Sequence, residues 1–382
     1  MPLNRRNFLK IIATSFIGSS LISCTHKKFF NPDEDILLAG GRIEDENKQQ
    51  NLLVIINLTQ REKKLIETPF LPHGIYIHPG NKYRVFCFEK NADKACEIDL
   101  QTQRVTRSLQ AEQGHVFSGH ASFSHDGKSI YCIESNTANF QGSITVRNTE
   151  TFAISHQLPT LGLSPHDCQL SKDNILTVSN TGKSESGFHL PSLVSIDIAT
   201  EKLIERIKLD TDDLVHADLN CGHFKISDTN DLVIASAPIS TKTQVLSGGV
   251  SIRKYNEPIS TMKEPEVVIK RMTGEALSIE INQQQSIAAI THPAANLLTF
   301  WSIKDKKIIK AIGFENPRGL SQTLDKKYFI VSYGEQPAMA KISTNDLEPQ
   351  VDSIVRPTLA SGEHIINWSK TIREIMPTRI YD

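Results

Sequence analysis

The sequence predicts an all-β chain folded as a seven-bladed β-propeller, and three observations lead there. A strand–turn–strand unit recurs, with first residues at His73, His120, His166, His223, Ser278, Arg318 and His364. Those starts are separated by 47, 46, 57, 55, 40 and 46 positions, a spacing typical of radial arrays of four-stranded sheets. Between consecutive units lie two more short apolar strands, such as 94–100 with 105–109 or 193–199 with 203–209, and no helical pattern intervenes. Each unit therefore supplies strands A, B, C and D. One blade cannot bury both its faces, so stability has to come from stacking neighbours around a ring.

Taken in order, the chain begins with an address. Asn4–Lys10 carries Arg5-Arg6 followed by Phe8-Leu9 and resembles a twin-arginine export signal. The run from Ile11 to Ile22 is too short and too weakly apolar for a stable membrane span. Leu21-Ile22-Ser23-Cys24 resembles a bacterial lipoprotein cleavage box, which makes Cys24 the expected lipidation site. Residues 1–24 are thus expected to send a folded protein to the periplasm, with a lipid anchor as its contact with the membrane, and residues 25–34 to serve as a tether. Thr25 rather than Asp after the cysteine resembles outer-membrane sorting.

The propeller is expected over residues 35–368. Residues 35–40, 51–58 and 63–70 have the character of strands B, C and D with no strand A before them. The missing strand is found at the other end, in His364–Trp368. The ring should therefore be closed by three N-terminal strands and one C-terminal strand. The A–B turns are short and rich in Asn, Asp and Gly, as tight turns require. The B–C and D–A connections are longer, especially 110–119, 136–142, 181–191 and 211–222, which marks their rim as the working face. Residues 369–382 form an extension that the repeat does not place.

Bulk properties narrow the function. The formal net charge is -1, and removing the first 23 residues, with three basic and no acidic side chains, leaves -4. Such a chain does not attract a polyanion, so nucleic acid is not an expected partner. The cysteines at 24, 87, 96, 132, 168 and 221 show no CxxC spacing and read, apart from Cys24, as small buried hydrophobes. GxSxG, HExxH, the Walker loop and a glycine-rich dinucleotide fingerprint are all missing, so no catalytic residue is assigned.

Strand A lines the channel of a propeller, and its start lies on the same rim as the D–A and B–C loops. Sorted this way, nine histidines fall on that rim or the channel mouth (His73, His115, His120, His166, His189, His216, His223, His292 and His364), and only His78 and His125 on the other. Five of them, His73, His120, His166, His223 and His364, open A strands and should meet near the axis. The ends of B strands add Glu89, Glu134 and Asn180 one layer out, while Arg318 and Ser278 hold the equivalent A-strand places in two further blades. We read the five histidines with Glu89 and Glu134 as candidate ligands for Fe, Cu or Zn, and Arg318 and Asn180 as candidate cofactor contacts. The competing reading is structural, since a residue repeated blade by blade often satisfies backbone groups of its neighbour.

Several stretches carry a family resemblance: Gly114-His115 with Gly119-His120, Phe123 to Gly127 with Tyr131 and Glu134, Gly162 with Pro165-His166-Asp167, and Val178 to Asn180. In these the chain resembles an uncharacterised bacterial family of twin-arginine-exported seven-bladed propellers, of the domain-of-unknown-function kind, over most of residues 35–368. More distantly it is similar to quinoprotein amine dehydrogenase-like and YVTN propellers. The resemblance implies a role beside periplasmic iron-uptake or haem proteins. Cys24 departs from the family, which usually lacks a lipoprotein box. The leading expectation is an exported propeller that binds a transition metal, or a metal-bearing partner in iron handling, at its histidine-rich mouth. A lactonase-like hydrolase or oxidoreductase working in the same funnel, and a docking scaffold without metal, are the alternatives.

Overall fold

A computed structural model of the protein describes residues 29–45, 48–209, 219–239 and 246–377. The signal of residues 1–24 with Cys24, the first part of the tether, His216 and the last five residues lie outside the described residues.

Seven four-stranded antiparallel sheets follow one another along the chain, forming a seven-bladed β-propeller. Strand A is Gly74–His78 in blade 1, His115–Phe123 in blade 2, Pro165–Leu170 in blade 3 and His223–Ile226 in blade 4. It is Ile279–Asn282 in blade 5, Leu320–Gln322 in blade 6 and Ile365–Asn367 in blade 7. From blade 1 to blade 7, each A strand packs against the A strand of the next blade, which makes these strands the wall of the channel.

The burial patterns follow from the layering. Strands B and C are covered on both faces by neighbouring blades, so they read as nearly continuous apolar runs; Leu232–Ser236, for example, is buried throughout. Outer D strands are wetter, and Glu62–Thr68 alternates exposed and buried along its second half. Among the described residues, apolar clusters join consecutive blades, such as Phe86, Phe88, Phe117 and Cys132 between blades 1 and 2, and Trp301 with Val250 and Ile252 between blades 4 and 5. The Asn-containing A–B turns behave as their sequence suggests: Asn174 and Asn230 adopt left-handed φ values of 60° and 61°.

The last blade has the order D, C, B, A with its A strand taken from the C-terminus. Leu37, Leu38 and Ala39 pair antiparallel with Asn367, Ile366 and Ile365, as the sequence predicts. Beyond this strand the chain turns into a helix, Trp368–Ile375, capped by the Asn367 side chain, which accepts from the Lys370 N–H at 3.1 Å. The helix lies at the A–B-turn end of the ring. Trp368 is fully buried and its indole donates to the Lys82 carbonyl of blade 1 at 2.6 Å. Lys370 pairs with Glu280 of blade 5 at 2.6 Å, and Asn367 donates to the Gln322 carbonyl of blade 6 at 2.9 Å. Glu34, read from sequence as tether, is buried and accepts from Asn57 at 2.6 Å.

Candidate metal centre

The A strands bring five imidazoles together where their sequence positions are up to 291 residues apart, His73 to His364. His73 and His364 sit one residue before their A strands, His223 opens its strand, and His120 and His166 lie within theirs at irregularities in the ladder to strand B. The irregularity in blade 2 contains Gly119, with φ at +106°. A Cβ there would come 2.5 Å from His73 Cδ2. Only glycine leaves room for the His73 ring against the bulge.

The five rings form a closed circuit. Successive ring centroids are 4.8 Å apart for His73–His120, 5.2 Å for His120–His166, 4.4 Å for His166–His223, 4.7 Å for His223–His364 and 4.6 Å for His364–His73. The Nε2 atoms of four of them meet inside the circuit, at 3.0 Å for His73–His120, 3.1 Å for His166–His223 and 3.3 Å for His120–His223. One ring nitrogen from each of His73, His120, His223 and His364 lies within 4.8 Å of all the others, so these four could hold a metal ion. His166 stands beside them.

Outer partners set the ring orientations. His73 Nδ1 faces Glu363 at 3.2 Å, and Lys90 grips the same carboxylate oxygen at 2.6 Å. His120 Nδ1 faces the Tyr76 hydroxyl at 3.2 Å and Asp167 at 3.4 Å. His364 Nδ1 faces the Ser278 hydroxyl at 3.3 Å. Such outer partners fix which nitrogen of a ligating histidine turns toward a metal.

The electrostatics keep the rings neutral. Burial, and then the neighbouring histidines, hold His120 and His223 well below the usual imidazole value. Burial brings His166 down to about 3 and also lowers His364 strongly. His73 is lowered by burial despite the upward pull of Glu363. Burial works to raise Glu363, yet the bond from His73 and the charge of Lys90 hold it far below the usual carboxylate range. The His73–Glu363 contact is therefore a neutral imidazole donating to a carboxylate rather than an ion pair. A carboxylate only accepts, so His73 carries its proton on Nδ1 and turns a lone pair inward.

A bound cation fits this arrangement. Metal–nitrogen bonds of about 2.0–2.1 Å put neighbouring nitrogens about 2.8–3.0 Å apart at a right angle and about 3.3–3.4 Å apart at the tetrahedral angle, close to the 3.0 Å of His73–His120 and the 3.3 Å of His120–His223. Protons shared between rings can satisfy individual pairs. His364 Nε2, however, is buried and has no hydrogen-bond partner among the described residues, which leaves it available to a ligand.

Not every residue expected at the site is there. Glu134 is fully buried in a different contact: it accepts from Arg147 at 2.7 Å, from the Glu112 N–H at 3.2 Å and from the Thr145 hydroxyl. Its inter-strand position and its bond to Arg147 leave it no role as a ligand, which corrects that reading. Asn180 is likewise fully buried and clamps the blade 2–blade 3 junction, donating to the Thr160 carbonyl at 3.1 Å and packing where a Cβ on Gly162 would sit. It is not among the residues that line the cleft beside His73. Glu89 and Arg318 line a cleft of about 570 Å³ that reaches the histidines at His73, together with Lys90 and Glu363, but Glu89 is outside the converging set of nitrogens. Burial raises the Glu89 carboxyl. Glu363, Asp167 and Tyr76 were not singled out by the repeat. Two of them directly adjoin a channel histidine in sequence, His364 and His166, and that adjacency is the signal that could have found them.

Comparison with known proteins adds the family and the fold. A family profile described as "Protein of unknown function (DUF1513)" matches residues 66–367, and no curated protein matches the sequence. Among solved structures, hydrazine synthase of Kuenenia stuttgartiensis is similar with a TM-score of 0.63 at 13% identity, covering 85% of this chain and 99% of that one. Dihydro-heme d1 dehydrogenase NirN in complex with DHE has a TM-score of 0.59 at 13% identity, covering 92% and 78%. A protein assigned as a 6-phosphogluconolactonase, from Bacteroides fragilis, has 0.60 at 10% identity, covering 87% and 98%. At such identities the likeness is one of fold alone.

Proposed function

The chain belongs to the DUF1513 family of proteins of unknown function, and on the strength of its site we propose that it is an exported propeller binding a first-row transition metal through His73, His120, His223 and His364. The observation that carries this is the convergence of four neutral imidazole nitrogens within 4.8 Å of one another, with the Nδ1 atoms of His73, His120 and His364 held from outside. A set of neutral imidazoles suits Fe, Cu or Zn and is a poor match for the oxygen-seeking Mg or Ca. The twin-arginine-like segment at Asn4–Lys10 and the box ending in Cys24 support a periplasmic, lipid-anchored protein. In that compartment its partners would be iron-uptake or haem proteins.

Elemental analysis of the protein exported in its native host is the direct test. Stoichiometric metal is expected in the wild type and its loss in the His120→Ala/His166→Ala double variant. Metal retained by a folded double variant would end the proposal. Intact-mass analysis of the same sample reads whether Cys24 carries lipid.

The cleft beside His73 favours a second reading, a small-molecule enzyme of lactonase-like or oxidoreductase type. A bound metal would then supply Lewis acidity or redox capacity, and the neutral rings would hold it without quenching its charge. Turnover of lactones or phenols by the metal-loaded protein, abolished in His73→Ala, supports that reading; its absence across both classes removes it.

A further inference from the structure

Arg318 stands out among the charged groups of the mouth. The cleft of about 570 Å³ is lined by the cations Arg42, Lys90 and Arg318 and by the carboxylates Glu44, Glu89, Glu335 and Glu363. Two of the cations are already engaged: Lys90 holds Glu363 at 2.6 Å, and Arg42 donates to Asn51 at 3.2 Å. The guanidinium of Arg318 makes no hydrogen bond or ion pair with any described residue, although its backbone is fixed on both sides. Its N–H donates to the Ser332 carbonyl at 2.8 Å and its own carbonyl accepts from Thr291 at 2.7 Å. Glu275 lies within electrostatic range of Arg318 without bonding to it. Gly319, the next residue, packs so closely on the strand after His364 that a Cβ would come 2.8 Å from Ile365 N. A rigid backbone beside the ring thus presents an unpaired planar fork to the cleft.

A metal held by imidazoles alone keeps its full positive charge, because none of the four ligands is anionic. Beside a free guanidinium, that charge selects an anion, and the two-pronged fork matches a carboxylate best. The helix Trp368–Ile375 lies at the other end of the ring, tied to blades 1, 5 and 6. At the mouth, His73 itself lines the cleft that Arg318 borders, so a ligand bound there lies beside the metal site. We propose that the cleft binds a small carboxylate-bearing molecule, with Arg318 pairing its carboxylate beside the metal; this rests on the metal reading given above.

Equilibrium dialysis with radiolabelled succinate, a weak chelator, tests it on zinc-loaded and chelator-stripped protein, with zinc content and thermal unfolding read on the same samples. Zinc-loaded wild type is expected to bind succinate roughly tenfold to a hundredfold more tightly than Arg318→Gln, with equal zinc in both, and more tightly than stripped protein. Arg42→Gln, which removes an engaged cation, should match wild type within a few-fold. Equal binding by wild type and Arg318→Gln, or an equal loss in Arg42→Gln, overturns the assignment to Arg318. Zinc-loaded protein that holds its zinc but ignores succinate overturns the proposal while leaving the metal reading intact. Failure of the wild type to hold zinc removes the metal reading and this inference with it.

Discussion

Glu134 offers the sharpest separation of a structural role from a ligand role. Its carboxylate is fully buried between strands and is met by Arg147, itself 4% exposed, and by the Glu112 N–H. The Arg147 guanidinium also lies 4.7 Å from the Phe152 ring centroid. Glu134→Ala strands a buried cation, and removing one partner of a buried pair costs about 3–5 kcal/mol. Glu134→Gln keeps an oxygen for Arg147 and Thr145 but turns an amide N–H₂ toward the Glu112 N–H, so roughly half that loss is expected. Arg147→Met should cost about as much as Glu134→Ala, since it leaves the carboxylate unpaired. The double change Glu134→Leu/Arg147→Met should recover most of the loss, because an apolar pair needs neither partner. Urea unfolding followed through the two buried tryptophans, Trp301 and Trp368, reads these differences as midpoint shifts. Metal content should stay at the wild-type level in every folded variant. A Glu134→Ala protein with an unchanged midpoint and lost metal would refute the structural assignment.

Two further outcomes follow from the packing. His292 is fully buried, with Nε2 bonded to Thr299 at 2.9 Å, and burial brings it down to about 3. Its folded value is below the unfolded value of about 6.5, so the unfolded chain takes up a proton first. Stability is complete above about pH 6.5 and falls as pH drops toward 3, by up to about 4–5 kcal/mol from this residue. Urea midpoints of metal-free protein across that range should show a slope that flattens in His292→Gln, and an unchanged slope would count against it. Trp368→Ala removes a wholly buried indole at the closure and should cost about 3–5 kcal/mol, read as a lower thermal midpoint; a shift no larger than that of a surface substitution would show that the closure does not depend on this side chain.

The repeat made the ring, the closing strand and the meeting of the five A-strand histidines legible, because those depend on period and strand order, which sequence carries directly. Glu134 and Asn180 lie at the ends of B strands as expected, but their partners differ from the expected ones for a physical reason. Their position at the end of strand B fixes the layer but not the partner, and Arg147 on strand C and Thr160 on strand D become visible only once registers are set. The closing helix escaped because it has no counterpart in any blade. Its signal is local, an Asn367 cap followed by Trp368 and Ile372 on one buried side, and too short for a periodic pattern to stand out.

The two blades without a channel histidine explain how five rings can meet in a seven-fold ring. Blades 5 and 6 place Ser278 and Arg318 where the others place imidazoles. The Ser278 hydroxyl is short, and it reaches His364 Nδ1 at 3.3 Å instead of filling the channel. His364 and His223 can then approach to 4.7 Å across the sector those blades leave open. A histidine at position 278 would compete for that space and lose the hydroxyl that orients His364. The circuit is therefore closed by what blade 5 withholds, while the long Arg318 side chain turns to the cleft. Ser278→Ala tests this: it leaves the space open but frees the His364 ring. Metal should still bind, with an affinity about 10–100-fold lower, the range seen when an outer partner of a ligating histidine is removed. Competition against a zinc-responsive dye reads the change, and an unaltered affinity would show that Ser278 does not position the ring.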